Sequence, residues 1–294
     1  IPHGIPDTPL VDPESVKPRF GLQGRKVLLT FGLLSPSKGI EHVISALPEI
    51  IRHHPTVTYV VVGATHPHLL REQGEWYRDE LARLAHRLGV AGHLEFHDRY
   101  VDMPDLLAFL AATDIYVTPY LNQDQITSGT LAYAFGCGKA VLSTPYWHAT
   151  ELLADGRGVI VPFADAAAIA AEACRLLSDD EGRNALRTQA YALGRGMTWG
   201  QVAAHYAEAF RQTRMATAIK PRRFAAVSPA RLPDRPLPPV VLDHLWRLTD
   251  STGLFQHATH DVPNLAEGYC TDDNARALAL MVVLDGMGLA TART

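Results

Sequence analysis

The run Lys26-Val27-Leu28-Leu29-Thr30-Phe31 and the turn behind it, Gly32-Leu33-Leu34-Ser35-Pro36-Ser37-Lys38-Gly39, decide the fold. A short apolar run ending in a glycine-bearing turn reads as a buried strand, and Gly39 to His53 then carries apolar residues at helical spacing. The pattern repeats outward. Thr58–Val62 is the next strand, closed by Gly63, and Glu75–Leu88 is an amphipathic helix with Leu81, Leu84, Ala85 and Leu88 on one face. Further strands are expected at His93–Phe96, Ile115–Thr118, Ala140–Ser143 and Gly158–Val161. Helices near 104–112, 128–137, 148–154 and 165–178 separate or follow them, and two more are expected over roughly 180–193 and 199–215. Short β-branched strands with helices between them imply βαβ units, hence an α/β fold with a doubly wound parallel sheet covered on both faces.

Composition supports a folded chain. Apolar residues make up 47% of the 294 residues and charged residues 20%, which excludes a wholly disordered, collagen-like or coiled-coil protein. A formal charge of −4 argues against a general polycation, so no nucleic-acid partner is expected. The cysteines Cys137, Cys174 and Cys270 are too widely spaced for a disulfide framework or a CxxC metal site, which points to a reducing, cytoplasmic setting. No apolar run approaches the ~18 residues of a membrane helix, and peripheral membrane contact is not indicated. The chain begins at Ile1 rather than Met, and it is expected to be a piece of a longer protein.

After the last of these helices the composition changes. Residues 218–239 are rich in proline and basic residues with Asp234 as the one acid, the signature of a linker. Residues 1–217 then form one domain, and 240–294, with helical patterns from Val240 and from Asp272 to Leu289, open an all-helical domain too small for a core of its own.

In an open α/β sheet ligands bind beyond the carboxyl ends of the strands. Three loops qualify. In the first, Gly32 lets the backbone approach closely and Lys38 supplies a charge beside a helix N-terminus; it is neither a P-loop nor a GxGxxG turn. The second, Asn122 to Thr130, ends in Thr127, Ser128, Gly129 and Thr130, a composition that serves equally as an anion cradle or as an ordinary helix cap. The third, Gly63 to His68, holds His66 and His68 with no cysteine or acid nearby to complete a ligand set, so no metal site is expected.

These residues resemble the retaining, nucleotide-sugar-dependent glycosyltransferases of the GT-B fold, family 4 (glycosyl transferases group 1), over residues 1–215. Ile1-Pro2-His3-Gly4 resembles the segment leading into the donor-binding, Rossmann-like C-terminal half, and Gly32 with Lys38-Gly39 resembles the diphosphate loop. Phe135-Gly136-Cys137-Gly138-Lys139-Ala140-Val141 resembles the small-residue helix end with its strand. Glu151, Asp155 to Pro162 and Asp165 resemble the closing region, and Trp199 with its helix the segment that crosses back.

The resemblance implies transfer of a sugar from a nucleotide-diphosphate sugar with retention and without a metal, so the donor is a substrate and no cofactor is expected. Lys38 is then the phosphate clamp, with Gly32, Leu33 and Gly63 beside it, and Thr127, Ser128, Gly129 and Thr130 would donate to phosphates or sugar. The acceptor, a carbohydrate or another molecule, would bind a preceding half for which residues 1–25 are too few. Three positions depart from the family's usual residues: Leu33 stands for an arginine, Gln125 and Tyr133 for two glutamates. Gln125 would act as a neutral stand-in, and Arg99 or Arg157 would replace the cation. His148, near Trp147 and Glu151, is a candidate sugar contact. A non-catalytic sugar-nucleotide-binding module and a GT-B-fold phosphorylase are the alternatives.

The region Gly253–Arg276 resembles the start of an α/α toroid. His257, His260, Asp261, Asp272 and Asp273 could line a sugar pocket there, and Asp272 and Asp273 would otherwise cap the helix that follows.

Overall fold

In the computed structural model, which describes residues 1–219 and 240–288, Lys26–Phe31 forms β1, an inner strand of a six-stranded parallel sheet. The others are β2 Val57–Val62, β3 Leu94–His97, β4 Ile115–Thr118, β5 Ala140–Ser143 and β6 Val159–Ile160, in the order β3-β2-β1-β4-β5-β6. Successive side chains of β1 feed opposite faces, as the strand period of two requires. Leu28 packs with α1 Ile40–His53, α3 Trp76–Arg87 and α7 Ala166–Ser178. Val27, Leu29 and Phe31 pack with α4 Met103–Ala112, α5 Gly129–Gly136 and α8 Asp180–Gly194. The chain runs outward through β2 and β3, then returns to lay β4 beside β1. The strand order reverses between β1 and β4, and the loops leaving those strands diverge there into a crevice.

Each expected strand and helix of the α/β region is present with ends shifted by a few residues. One helix is additional: α2, Pro67–Gln73, follows the third loop, with α6 Trp147–Leu152 and α9 Trp199–Ile219 completing the unit. The first 25 residues belong to this unit. Ile5 is fully buried, and its backbone bonds to Met197 and Trp199. Gly136 leaves room for it, since a Cβ there would lie 2.0 Å from Ile5 Cδ1. Lys17, fully buried, is ion-paired with Asp114 at 2.8 Å and ties the segment to the start of β4.

The chain divides into Ile1–Pro221 and Arg222–Thr294. Within the proposed linker 218–239, residues 218 and 219 end α9 and 220–239 lie outside the described residues. The second unit contains α10 Asp243–Arg247, an antiparallel pair β7 Ala258–Thr259 and β8 Val262–Pro263, and α11 Thr271–Gly286. The expected capping by Asp272 and Asp273 is not observed. The helix begins at Thr271, so both acids lie inside its first turn and face Arg276, Asp272 at 2.8 Å. Asp261 is paired with Arg247. Among the described residues no helix is long and apolar enough to cross a membrane.

Candidate functional site

The loops after β1 and β2 are fastened together beyond the strand ends. Leu34 N–H donates to the Ala64 carbonyl at 2.9 Å, and His66 N–H donates to the Leu34 carbonyl at 2.9 Å. The approach demands glycine at one point. Gly63 has φ +143°, and a Cβ there would lie 2.0 Å from the Gly32 carbonyl oxygen. Behind Gly32, the 3-10 turn Pro36–Lys38 and the left-handed Gly39 start α1, where His42 N–H bonds the Gly39 carbonyl at 3.1 Å and the amides before it are those that a helix leaves without intrahelical partners.

Lys38 comes from that turn, half-buried, with its Nζ 3.9 Å from the centroid of the Tyr120 ring. It has no ion-pair partner among the described residues. The Tyr120 hydroxyl bonds Thr130 Oγ1 at 2.8 Å, and Thr130 Oγ1 lies 3.1 Å from Ser128 Oγ. Ser128 Oγ in turn accepts from Leu131 N–H and caps α5. The fold thus joins Lys38 of the first loop to Ser128 and Thr130 of the second. Ser128 caps the helix, as one reading of the second loop expects, and also stands in this cluster.

Gln125 turns inward, its Nε2 donating to the Thr127 carbonyl at 2.6 Å. Tyr133 sits one turn into α5, edge-on to His3 with centroids 5.8 Å apart, and burial raises its pKa. His3 also approaches Gly129, where a Cβ would lie 3.1 Å from its Nε2. His148 occupies a recess with His3, Thr127, Glu151 and Arg157, and its Nδ1 accepts from Ser128 N–H at 2.8 Å.

The two candidate cations separate. Arg99 borders Gly32, Leu33 and Gly63 in an apolar recess completed by Phe31, Val62, Ala64, Tyr100, Val101 and Leu106, and is paired with Asp105 at 3.0 Å. Arg157 lies in the His148 recess instead, its guanidinium on the Ala154 and Glu151 carbonyls. In the third loop, His66 Nδ1 accepts from His68 N–H and caps α2, while His68 faces Glu72. Among the described residues no group of three or more His, Cys, Asp or Glu side chains is placed to hold a metal ion.

Tyr120, His3 and Arg78 escaped the sequence reading. Tyr120 carried a signal, since it stands two residues beyond β4 at the expected cleft. Arg78 carried none, being one polar residue in an amphipathic helix. It is buried behind the third loop, bonded to the Gly63 carbonyl and paired with Glu75 and Asp98. The Thr65 hydroxyl, and after it Arg78, hold the Glu75 carboxyl below the usual carboxylate range.

The family profile described as "Glycosyl transferases group 1" matches residues 25–179, from the strand before this cluster to the end of α7. The chain belongs to that family. It is similar to the phosphatidyl-myo-inositol mannosyltransferase of Mycolicibacterium smegmatis, 30% identical over 189 residues, 62% of this chain and 44% of that protein. It is also similar to the GDP-mannose-dependent alpha-(1-6)-phosphatidylinositol monomannoside mannosyltransferase of the same organism, 30% identical over 61% of this chain and 47% of that protein. The chain thus spans somewhat less than half the length of these relatives. Among solved structures, Anabaena HepE in complex with UDP superposes with TM-score 0.60 at 22% identity, over 68% of this chain and 52% of that one. The C-terminal domain of a group 1 glycosyl transferase, LpcC of Francisella tularensis, superposes with TM-score 0.53 at 20% identity, over 64% of this chain and 92% of that domain. These likenesses establish the fold, the Rossmann-like half of GT-B.

Proposed function

We propose that this chain is the donor-binding half of a retaining glycosyltransferase that takes its sugar from a nucleotide-diphosphate sugar. The observation that carries this is the Lys38 ammonium, without a carboxylate partner among the described residues, held against Tyr120 beside the hydroxyls of Thr130 and Ser128. When the glycosidic bond to the donor breaks, negative charge builds on the departing diphosphate. A fixed ammonium with the N-terminal amides of α1 and α5 stabilises that charge as it appears. The apolar recess at Gly32, Leu33 and Tyr100 suits a planar base, with Arg99 at its edge. One of the named relatives is GDP-mannose-dependent, and the structural neighbour was solved with UDP and with UDP-glucose, so both nucleotides are the first to test.

The acceptor belongs to the part of the enzyme that the matched relatives have and this chain does not span. The 294-residue chain is therefore expected to bind donor and to transfer nothing. Calorimetric titration with UDP, GDP and their sugars, on the wild type and Lys38→Ala, tests the reading. Binding that Lys38→Ala leaves unchanged would remove its basis, and transfer by the chain alone would refute the division of labour. A second reading, a binding module without turnover, is favoured by Gln125 and Tyr133 standing where the family has glutamates. Donor hydrolysis by the full-length protein decides against it.

A further inference from the structure

Three hydrogen bonds strap the start of α6 to the loop before α5. Trp147 N–H donates to the Gln123 carbonyl at 3.0 Å and His148 N–H to the Gln125 carbonyl at 3.2 Å. The third runs the other way, from Ser128 N–H to Nδ1 of the His148 ring at 2.8 Å. This last bond fixes the chemistry of the imidazole. A neutral ring has one donor and one acceptor nitrogen, so an Nδ1 that accepts leaves the proton on Nε2. A second proton on the ring would set Nδ1–H against Ser128 N–H and end the bond. Ser128 is 4% exposed, so its amide would be left without a partner, a state that folded proteins avoid.

The geometry points to His148 as a positioning residue: in its neutral form it holds the 122–130 loop in the arrangement that presents Ser128 and Thr130 to the donor, and protonation releases that loop. The inference rests on the donor-site reading above and deepens it. The bond is placed where its loss matters most, because Ser128 is at once the cap of α5 and the end of the chain of contacts that runs from Lys38 through Tyr120 and Thr130. Among the residues lining the recess, the titratable or charged side chains come from three elements: His3 of the N-terminal segment, Glu151 of α6 itself, and Arg157 of the loop that follows. Burial, opposed by Glu151 and assisted by His3, holds the imidazole below its ordinary pKa, which keeps the accepting form in place at neutral pH.

The test uses UDP-glucose and GDP-mannose, whose bridging diphosphates, unlike the terminal phosphate of UDP or GDP, do not titrate between about pH 5 and 8. Affinity of the 294-residue chain is measured across that range for the wild type, His148→Asn, His148→Leu and His3→Asn. The wild type is expected to bind about ten-fold more weakly at acid pH, the scale of one lost hydrogen bond. His148→Asn, which offers a non-titrating acceptor, should flatten the profile, and His148→Leu should be weak throughout. His3→Asn should keep the step. A step that survives in His148→Asn overturns the positioning role. A ligand-free arm separates this from failure of the donor site. Long-range nitrogen–proton NMR of the wild type should show the Nε2–H tautomer, with the Ser128 amide moving as the ring titrates. An Nδ1–H tautomer, or a Ser128 amide indifferent to the titration, sinks the inference. An intact lock with no binding of either sugar nucleotide at pH 8 sinks the donor-site reading, and the claim that the loop serves a donor falls with it.

Discussion

The Lys38 ammonium stands 3.9 Å from the centroid of the Tyr120 ring, and the hydroxyl of that ring bonds Thr130. One tyrosine thus holds the charge contributed by the β1 loop and the hydroxyl contributed by α5. The aromatic face attracts the cation without neutralising it, as a carboxylate would. Lys38 remains electrostatically available to an anion while its long side chain is partly ordered.

Lys38→Met is therefore expected to weaken sugar-nucleotide binding by about 10- to 100-fold, the worth of one charge-assisted hydrogen bond. Tyr120→Leu removes the ring but leaves the charge, and should cost about 3- to 5-fold through looser placement of Lys38. Calorimetric titration gives both values. An equal loss in the two variants would mean that Tyr120 does more than hold the lysine.

Gly63→Ala is expected to destabilise the fold. Its Cβ would lie 2.0 Å from the Gly32 carbonyl oxygen, a backbone atom that no rotamer change can move, and the residue sits at φ +143°. Overpacking and an unfavourable φ each cost about 1–3 kcal/mol, so urea unfolding should show a loss of several kcal/mol. A loss under about 1 kcal/mol would show that the two loops separate easily.

The elements that matter most were legible. Lys26–Phe31 alternates between two buried faces, and the apolar spacing of Ile40, Val43, Ile44, Leu47 and Ile50 is that of a helix on one of them. From these the parallel sheet and the three loops beyond its strand ends follow, while the strand order that sets the switch point comes from the structure. What stayed hidden depends on partners distant in sequence. His3 meets Gly129 and Tyr133 only because Ile5 inserts beside Gly136, and Arg78 is buried only because Gly63, Glu75 and Asp98 converge on it. Asp272 and Asp273 were misjudged by one residue of helix register, which turns a cap into a pair with Arg276.

Lys139 yields a pH-dependent stability. Its ammonium is buried against the Ala111 and Thr113 carbonyls at the end of α4, and burial lowers its pKa to about 7. In the unfolded chain it titrates near 10.4, so between those values the unfolded state binds more protons than the folded one. Stability contributed at this site must rise with pH across that window. Below about 7 both states are protonated and the penalty of the buried charge is complete. Lys139→Met should be favoured over the wild type most at pH 7, and the difference should shrink by up to about 1.4 kcal/mol per pH unit toward pH 9. Parallel urea titrations of the two proteins at pH 7, 8 and 9 cancel the contributions of other groups. A constant difference would show that Lys139 stays protonated in the folded protein across this range.

Leu33 and Arg99 allow a gain to be tested as well as a loss. Leu33 follows Gly32, the position where the family commonly carries an arginine, and Arg99 from the loop after β3 reaches the same recess. If Arg99 supplies the cation that Leu33 lacks, Arg99→Ala should weaken sugar-nucleotide binding by about 3- to 30-fold, bearing in mind that Arg99 is 58% exposed and shared with Asp105. Leu33→Arg should tighten binding in the wild type and restore most of the loss in Arg99→Ala. The two substitutions would then be strongly non-additive, because either guanidinium serves the same diphosphate. Additive effects would assign the residues to separate contacts. No effect of Arg99→Ala, together with a gain from Leu33→Arg, would mean that this chain binds its donor with the family's second cation absent, relying on Lys38 and the helix amides alone.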